Sequence, residues 1–293
     1  MDKLDILKLL SFISILVIGL IFSFMPNYLN SCRKNEKLLD IANTFSGGLF
    51  LGISLLHLLP ESQEKFYKLK IKFPLAFLIC ILIYCLILYV EKVVFDPNLI
   101  KEENEKVTEQ YISKRIDFKI IPFSSESNKE TEDFNNDDEL ESNFLKKKSL
   151  YKPFILLFAL GFHALFEGIA VGILEEFDSV LSLTLVIVAH KWAEGLSFGI
   201  SFIKLELTKC QINLLLTIYS IIGPSGVLLG WLLSIVANPF IQGIFLAASS
   251  GTFLYISCSE IIVEEFEKKK DKCIKFLFLL LGAIMSAILA YFE

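Results

Sequence analysis

Histidine is scarce in this chain: there are three in 293 residues, with three methionines and two tryptophans. Cysteine offers little more. Cys32, Cys80, Cys85, Cys210, Cys258 and Cys273 are scattered and form no C-x-x-C. That excludes a thiolate metal site and gives no basis for a disulfide framework, so these residues read as small apolar packing groups. H-E-x-x-H and G-x-S-x-G are also missing, and with them the usual sequence marks of a zinc protease or a serine hydrolase. The net charge of −5 says little, because one segment carries most of it. No nucleic-acid partner and no bound cofactor are expected.

What the chain has in abundance is apolar sequence. It is 54% hydrophobic, with a mean hydropathy of +0.59. A soluble domain of this size would be less apolar and would show amphipathic rather than uniform runs. A membrane span needs about 20 apolar residues. Eight segments qualify, at about 4–24, 38–59, 73–95, 152–174, 179–203, 211–236, 240–263 and 273–291. The expected fold is an all-α integral membrane protein of eight transmembrane helices in a lipid bilayer. The first segment lacks a basic start and a small-residue cleavage site, so it reads as a retained span rather than a leader.

Basic residues orient the spans. Arg33 to Lys37, Lys146 to Lys148 and Lys268 to Lys275 all fall on one side, opposed by Lys65 to Lys72. The positive-inside bias therefore puts both termini outside the cytosol. Three parts follow: 1–95 with three spans, 96–150 as an acidic disordered cytosolic loop, and 151–293 with five spans. The loop is too polar to bury a core. It contains no histidine.

Two of the three histidines open matched segments. Residues His163 to Gly172 read H-A-L-F-E-G-I-A-V-G, and His190 to Gly199 read H-K-W-A-E-G-L-S-F-G. Both follow H-x-x-x-E-G-x-x-x-G inside apolar spans. Residues four apart lie on one face of a helix. Ionisable groups in hydrocarbon are costly unless they serve a site. Facing each other, His163, Glu167, His190 and Glu194 would offer a four-ligand pocket of the kind Zn²⁺ accepts, and Fe²⁺ or Mn²⁺ accept the same donors. The bland alternative is a buried polar network that only joins the fourth and fifth spans. The glycine pairs Gly168/Gly172 and Gly195/Gly199 have the small-x-x-x-small spacing that would let those two helices approach each other.

Lys191 stands beside this set, where its charge would disfavour a second cation; otherwise it is a lysine snorkelling from a helix end. Gly223-Pro224-Ser225-Gly226 in the sixth span reads as a bend at a pathway or as a packing kink.

Residues 46–62 and 249–265 look like an inverted repeat. Gly48 aligns with Gly251, Phe50 with Phe253, Ile53-Ser54 with Ile256-Ser257, and His57 with Glu260. Such repeats place a transport site near mid-membrane. On this reading His57 and Glu61 sit at the outer mouth. Glu260 lies near the inner exit, with Glu264 and Glu265 an ordinary solvated end or part of that exit.

Together these residues resemble the ZIP (Zrt-/Irt-like) family of divalent metal transporters. His163 to Gly168 is similar to the family's fourth-helix H-N-x-x-E-G, and His190 to Glu194 to its fifth-helix motif. Gly48-Leu49-Phe50 through Glu61 and Gly251 to Tyr255 resemble the second and seventh helices. The resemblance covers nearly the whole chain. It implies helices four and five set between two inverted three-helix repeats, and metal movement toward the cytosol by an elevator-type mechanism. It also implies a homodimer in many members. The chain departs from two-metal members at Ala164, Lys191 and Gly223, where they carry Asn, Asp and Glu, and so is similar to the subgroup with His-Lys in the fifth helix. Phe50 then reads as a gate rather than a ligand. The expected cargo is Zn²⁺, with Fe²⁺ as a second candidate, and the expected location is the plasma membrane, with an organelle membrane as the alternative. A membrane-embedded metal-dependent hydrolase or a metal sensor is the rival reading.

Overall fold

The structure is a computed structural model that describes residues 2–28, 35–94, 134–202, 207–234 and 238–291, with backbone alone for 134–153. Contacts divide the chain into Met1–Leu88 with Pro153–Glu293, and Tyr89–Lys152. The first unit contains the site.

Among the described residues, eight helices are long and apolar enough to cross a membrane. They are α1 (Lys3–Tyr28), α2 (Glu36–Lys68), α3 (Leu75–Val94), α4 (Phe154–Ile173), α5 (Phe177–Ser201), α6 (Lys209–Leu233), α7 (Pro239–Glu267) and α8 (Lys272–Tyr291). Among the described residues there is no strand. Helical backbone leading into α4 already begins at Phe134, within the last part of the segment expected as a loop. Residues 96–133, the rest of that expected loop, lie outside the described residues.

Local signals set several starts. The Asn35 side chain accepts from the Leu38 N–H at α2, and Thr208 and Gln211 form a capping box at α6. Asn238 caps α7, with Pro239 in its first turn, where a missing N–H costs nothing. The second helix outruns its expected end, continuing past Pro60 to Lys68. A π turn at Ser54–Leu58 ends two residues before that proline, where a regular ladder would meet its ring and its missing donor. An equivalent π turn, Ile256–Ile261, interrupts α7.

The aligned halves meet about a local two-fold relation. The Ser54 hydroxyl donates to the Ser250 carbonyl at 2.9 Å, and the Ser257 hydroxyl to the Gly47 carbonyl at 2.7 Å. The repeat pairs Ser54 with Ser257 and Gly47 with Ser250, so the two bonds are symmetry mates. Both need α2 and α7 to run antiparallel. The aligned glycines also match in role. A side chain on Gly48 would strike the Leu279 carbonyl of α8, and one on Gly251 the Cys80 carbonyl of α3.

Two four-helix groups result. The first joins α1, α4, α5 and α6. Lys8 of α1 donates to the Gly172 carbonyl at the end of α4 (2.7 Å), and Asn27 to the Gly199 carbonyl near the end of α5 (2.9 Å). These bonds fall on carbonyls in the last turn of each helix, where the regular ladder runs out; the Gly199 carbonyl also takes a long bond from the Phe202 N–H at 3.4 Å. The second joins α2, α3, α7 and α8, with Ser62 donating to the Gly243 carbonyl and Gly52 and Gly282 at the α2–α8 crossing.

The glycine expectation needs correcting. Gly168 and Gly172 do not face α5: an added Cβ would lie 2.2 Å from the Gly223 and Val227 carbonyls of α6. Gly195 and Gly199 face Ser23 of α1. Each first glycine follows its glutamate by one residue, about 100° further round the helix. The His-Glu face and the glycine face therefore meet different neighbours. The glycines of Gly223-Pro224-Ser225-Gly226 likewise serve close packing, and α6 runs through the segment as one helix.

Candidate metal centre

α4 and α5 bring their polar faces together in the first helix group. His163, Glu167, His190 and Glu194 each offer one ligand atom, and these atoms all lie within 4.8 Å of one another. All four residues are buried, at 0–2% exposure. His190 Nε2 stands 3.0 Å from Glu167 Oε1 and 3.3 Å from Glu194 Oε1. His163 Nε2 stands 3.6 Å from Glu167 Oε2 and 3.7 Å from Glu194 Oε1. None of these approaches has hydrogen-bond geometry, and His163 Nε2, His190 Nε2, Glu167 Oε1 and Glu194 Oε1 make no hydrogen bond at all. Buried polar atoms are otherwise nearly always paired. A tetrahedron with bonds of about 2.0–2.1 Å has edges of about 3.3–3.4 Å, and the four His–Glu approaches, at 3.0–3.7 Å, bracket that spacing.

The surroundings orient the donors. His163 Nδ1 lies 2.8 Å from the Ser249 hydroxyl and 3.2 Å from the Thr252 hydroxyl, both on α7. With Nδ1 engaged, Nε2 is left for a cation. The His163 ring stacks on Phe253 with centroids 3.4 Å apart, and Phe253 stacks in turn on Phe50 at 4.8 Å. Sequence reasoning chose Phe50 and missed Phe253, its repeat mate and the ring that touches His163 directly.

Lys191 is 3% exposed, so it does not snorkel to a helix end. Its ammonium donates to Glu194 Oε2 at 2.7 Å. The three positions of departure converge on it: a Cβ built on Gly223 would lie 3.6 Å from Ala164 Cβ and 3.6 Å from Lys191 Nζ. An ammonium group and two residues without donor side chains therefore lie together at these positions. Tyr219, also unanticipated, donates its hydroxyl to the same Glu194 Oε2 at 3.0 Å. Its position was a signal, since it lies one turn before Gly223 on the same face of α6.

His57 and Glu61 stand apart from the four-residue group. His57 Nε2 is 3.9 Å from Glu61 Oε2, and Lys65 is 3.6 Å from Glu61 Oε1. They border an open cleft of about 370 Å³ that Ser179 and Ser182 of α5 also line. Glu260, half-buried, accepts from Tyr255 at 3.1 Å.

The expected solvated end at Glu265 is a correction. That residue is 2% exposed, because α8 and the loop before it fold their lysines over it. Lys275 reaches its Oε2 at 2.7 Å, Lys268 its Oε1 at 2.9 Å, and both also meet Asp40 of α2. Burial works against the Lys268 charge, but its hydrogen bonds to Asp40 and Glu265 outweigh that and hold the ammonium above the usual lysine range.

Residues 5–290 match the model of the family described as ZIP Zinc transporter. The chain is 27% identical over 319 residues to Zinc transporter ZIP3 of Homo sapiens, covering 100% of both chains. It is 29% identical over 312 residues to Zinc transporter ZIP3 of Xenopus tropicalis, covering 98% of both. With Zinc transporter ZIP1 of Takifugu rubripes the identity is 23% over 310 residues, 99% of both.

Proposed function

The chain belongs to the ZIP zinc transporter family, and from that premise we propose that it carries Zn²⁺ across a membrane toward the cytosol through one site made by His163, Glu167, His190 and Glu194. The family is one of transporters, so the metallohydrolase reading is set aside. The observation that carries the site is the set of four buried donor residues on α4 and α5 whose ligand atoms lie within 4.8 Å of one another.

Each group then has a task. His163 and His190 bind through neutral Nε2, and Glu167 and Glu194 supply negative charge that offsets the cation's desolvation. Lys191 keeps the site to one metal. Phe253, with Phe50 on it, is the apolar wall that closes the site on the α7 side. His57 and Glu61, at the open cleft, collect the ion at the outer mouth, and Glu260 serves the inner exit.

The motion is proposed to be of the elevator type. α1, α4, α5 and α6 are tied together at both ends of α1, so they move as a body. The Ser249 and Thr252 contacts to His163 join that body to the other four helices, and sliding breaks and remakes them. Both termini are placed outside the cytosol by the lysine distribution, with the plasma membrane as the working location. A homodimer rests on the family resemblance.

Uptake into vesicles holding the purified full-length protein tests the reading. Zn²⁺ should enter in preference to Fe²⁺, Mn²⁺ and Cd²⁺ in competition, and His163→Ala or Glu167→Ala should abolish entry. Undiminished uptake by both variants would remove the site assignment, and stronger competition by Fe²⁺ would make iron the cargo.

A further inference from the structure

The two oxygens of Glu194 are treated differently by their neighbours. Oε2 accepts two hydrogen bonds, from the Lys191 ammonium at 2.7 Å and from the Tyr219 hydroxyl at 3.0 Å. Oε1 accepts none and faces the two imidazoles, 3.3 Å from His190 Nε2 and 3.7 Å from His163 Nε2. Glu167 is unlike it, with one oxygen toward each histidine.

Tyr219 is held firmly enough to matter. It is 1% exposed. Its ring packs on Phe198 of α5 with centroids 4.4 Å apart, and the Lys191 ammonium lies 5.7 Å from the ring centroid. One face of α6 therefore makes two contributions to the carboxylate. Gly223 leaves room for the ammonium, and Tyr219, one turn earlier, adds a hydroxyl.

We propose that Tyr219 is a positioning residue for metal selectivity: with Lys191 it occupies Glu194 Oε2 and confines that carboxylate to binding the ion through Oε1 alone. This rests on the single-site reading above. The consequence is a low coordination number. Even with Glu167 bidentate, the protein offers at most five donors, which suits Zn²⁺ and disfavours Mn²⁺, a cation that prefers six oxygen-rich positions. Without the hydroxyl, Oε2 is held by the lysine only and can turn toward the ion.

The test is Tyr219→Phe in the full-length protein, which keeps the ring and removes the donor. In vesicles, the Zn²⁺ over Mn²⁺ preference should fall by about tenfold, the scale of one hydrogen bond to a charged group. The change should appear in KM for both ions. X-ray absorption at the zinc edge should show more than four nearest neighbours in the variant and four in the native protein. An unchanged preference, or a loss of Vmax with KM and the Zn²⁺/Mn²⁺ ratio untouched, overturns the proposal and leaves Tyr219 a packing residue. Should Tyr219→Phe fail to accumulate, Lys191→Met removes the other donor on Oε2 and must relax selectivity in the same direction. Glu194→Ala is the control. If it transports like the native chain, the site reading itself falls, which is a different outcome from selectivity that Tyr219→Phe does not move.

Discussion

Phe50 of α2 and Phe253 of α7 lie ring on ring, with centroids 4.8 Å apart and planes 12° apart, where the two aligned repeats meet. Ser54→Ser250 and Ser257→Gly47 flank the pair as matched bonds. Phe253 also stacks on His163, so the contact between the repeats lies against the candidate metal centre.

That symmetry has a consequence for stability. Ser54→Ala and Ser257→Ala should each cost about 1 kcal/mol, the worth of one buried hydrogen bond. Melting in detergent should give two similar decreases in Tm. A large cost at one serine with none at its mate would contradict the equivalence.

Glycine positions on α4 separate sharply by what faces them. Gly172→Ala puts a methyl group 2.2 Å from the Val227 carbonyl, and backbone on backbone has little room to yield. A loss of about 1–3 kcal/mol is expected. Gly161→Ala meets only the Ile222 Cδ1 at 3.2 Å, the end of a flexible side chain. It should melt within a few degrees of the native protein. Comparing the two melting curves checks the α4–α6 crossing.

The buried ion cluster predicts a partner rescue. Lys275 and Glu265 are each 2% exposed and 2.7 Å apart. Lys275→Met should destabilise by about 1–3 kcal/mol, less than a fully orphaned buried charge costs, because Lys268 still donates to both Glu265 oxygens. Adding Glu265→Gln should restore part of the loss. Lys268 behaves differently with pH. Its folded value is raised, so its contribution is fully present below the unfolded lysine value and is lost only as pH rises through the folded one. Varying pH between 7 and 9 should therefore leave the Lys268→Met decrement in Tm constant, and a decrement that shrinks over that range would contradict this.

Removing the two hydroxyls beside His163 Nδ1 should weaken metal binding without removing a metal-binding atom. Ser249→Ala with Thr252→Val takes away both hydroxyls on that nitrogen. Outer-shell partners of this kind are worth roughly 10–100-fold in metal affinity. The KM for Zn²⁺ uptake should rise by at least about tenfold, and equal KM values would show that Phe253 and the Ser249 carbonyl, 3.2 Å from Nδ1, suffice to orient the imidazole.

Much of this was legible in one dimension. Eight apolar runs of bilayer length admit little other than eight helices, because backbone groups in hydrocarbon must bond within their own segment. His163/Glu167 and His190/Glu194 announced themselves because a helix brings residues four apart onto one face, whatever packs against it. The helix partners were not legible. Small-x-x-x-small spacing tells that a close neighbour exists and not which one, so the glycines of α4 and α5 were assigned to each other when they face α6 and α1. Glu265 looked like a helix end facing water, since the lysines that cover it come from Lys268 and Lys275 further along the chain.

By itself the sequence determined the number of spans, the four candidate ligands and the repeat, all of which depend on spacing within a single helix or on likeness between two. Only the tertiary structure decided that Lys191 fills the space beside Gly223 and Ala164, that Phe253 rather than Phe50 lies on His163, and that Tyr219 and Lys191 share one oxygen of Glu194. Those relations join residues from different helices, and rotation of each helix about its axis is set by packing that no local pattern encodes.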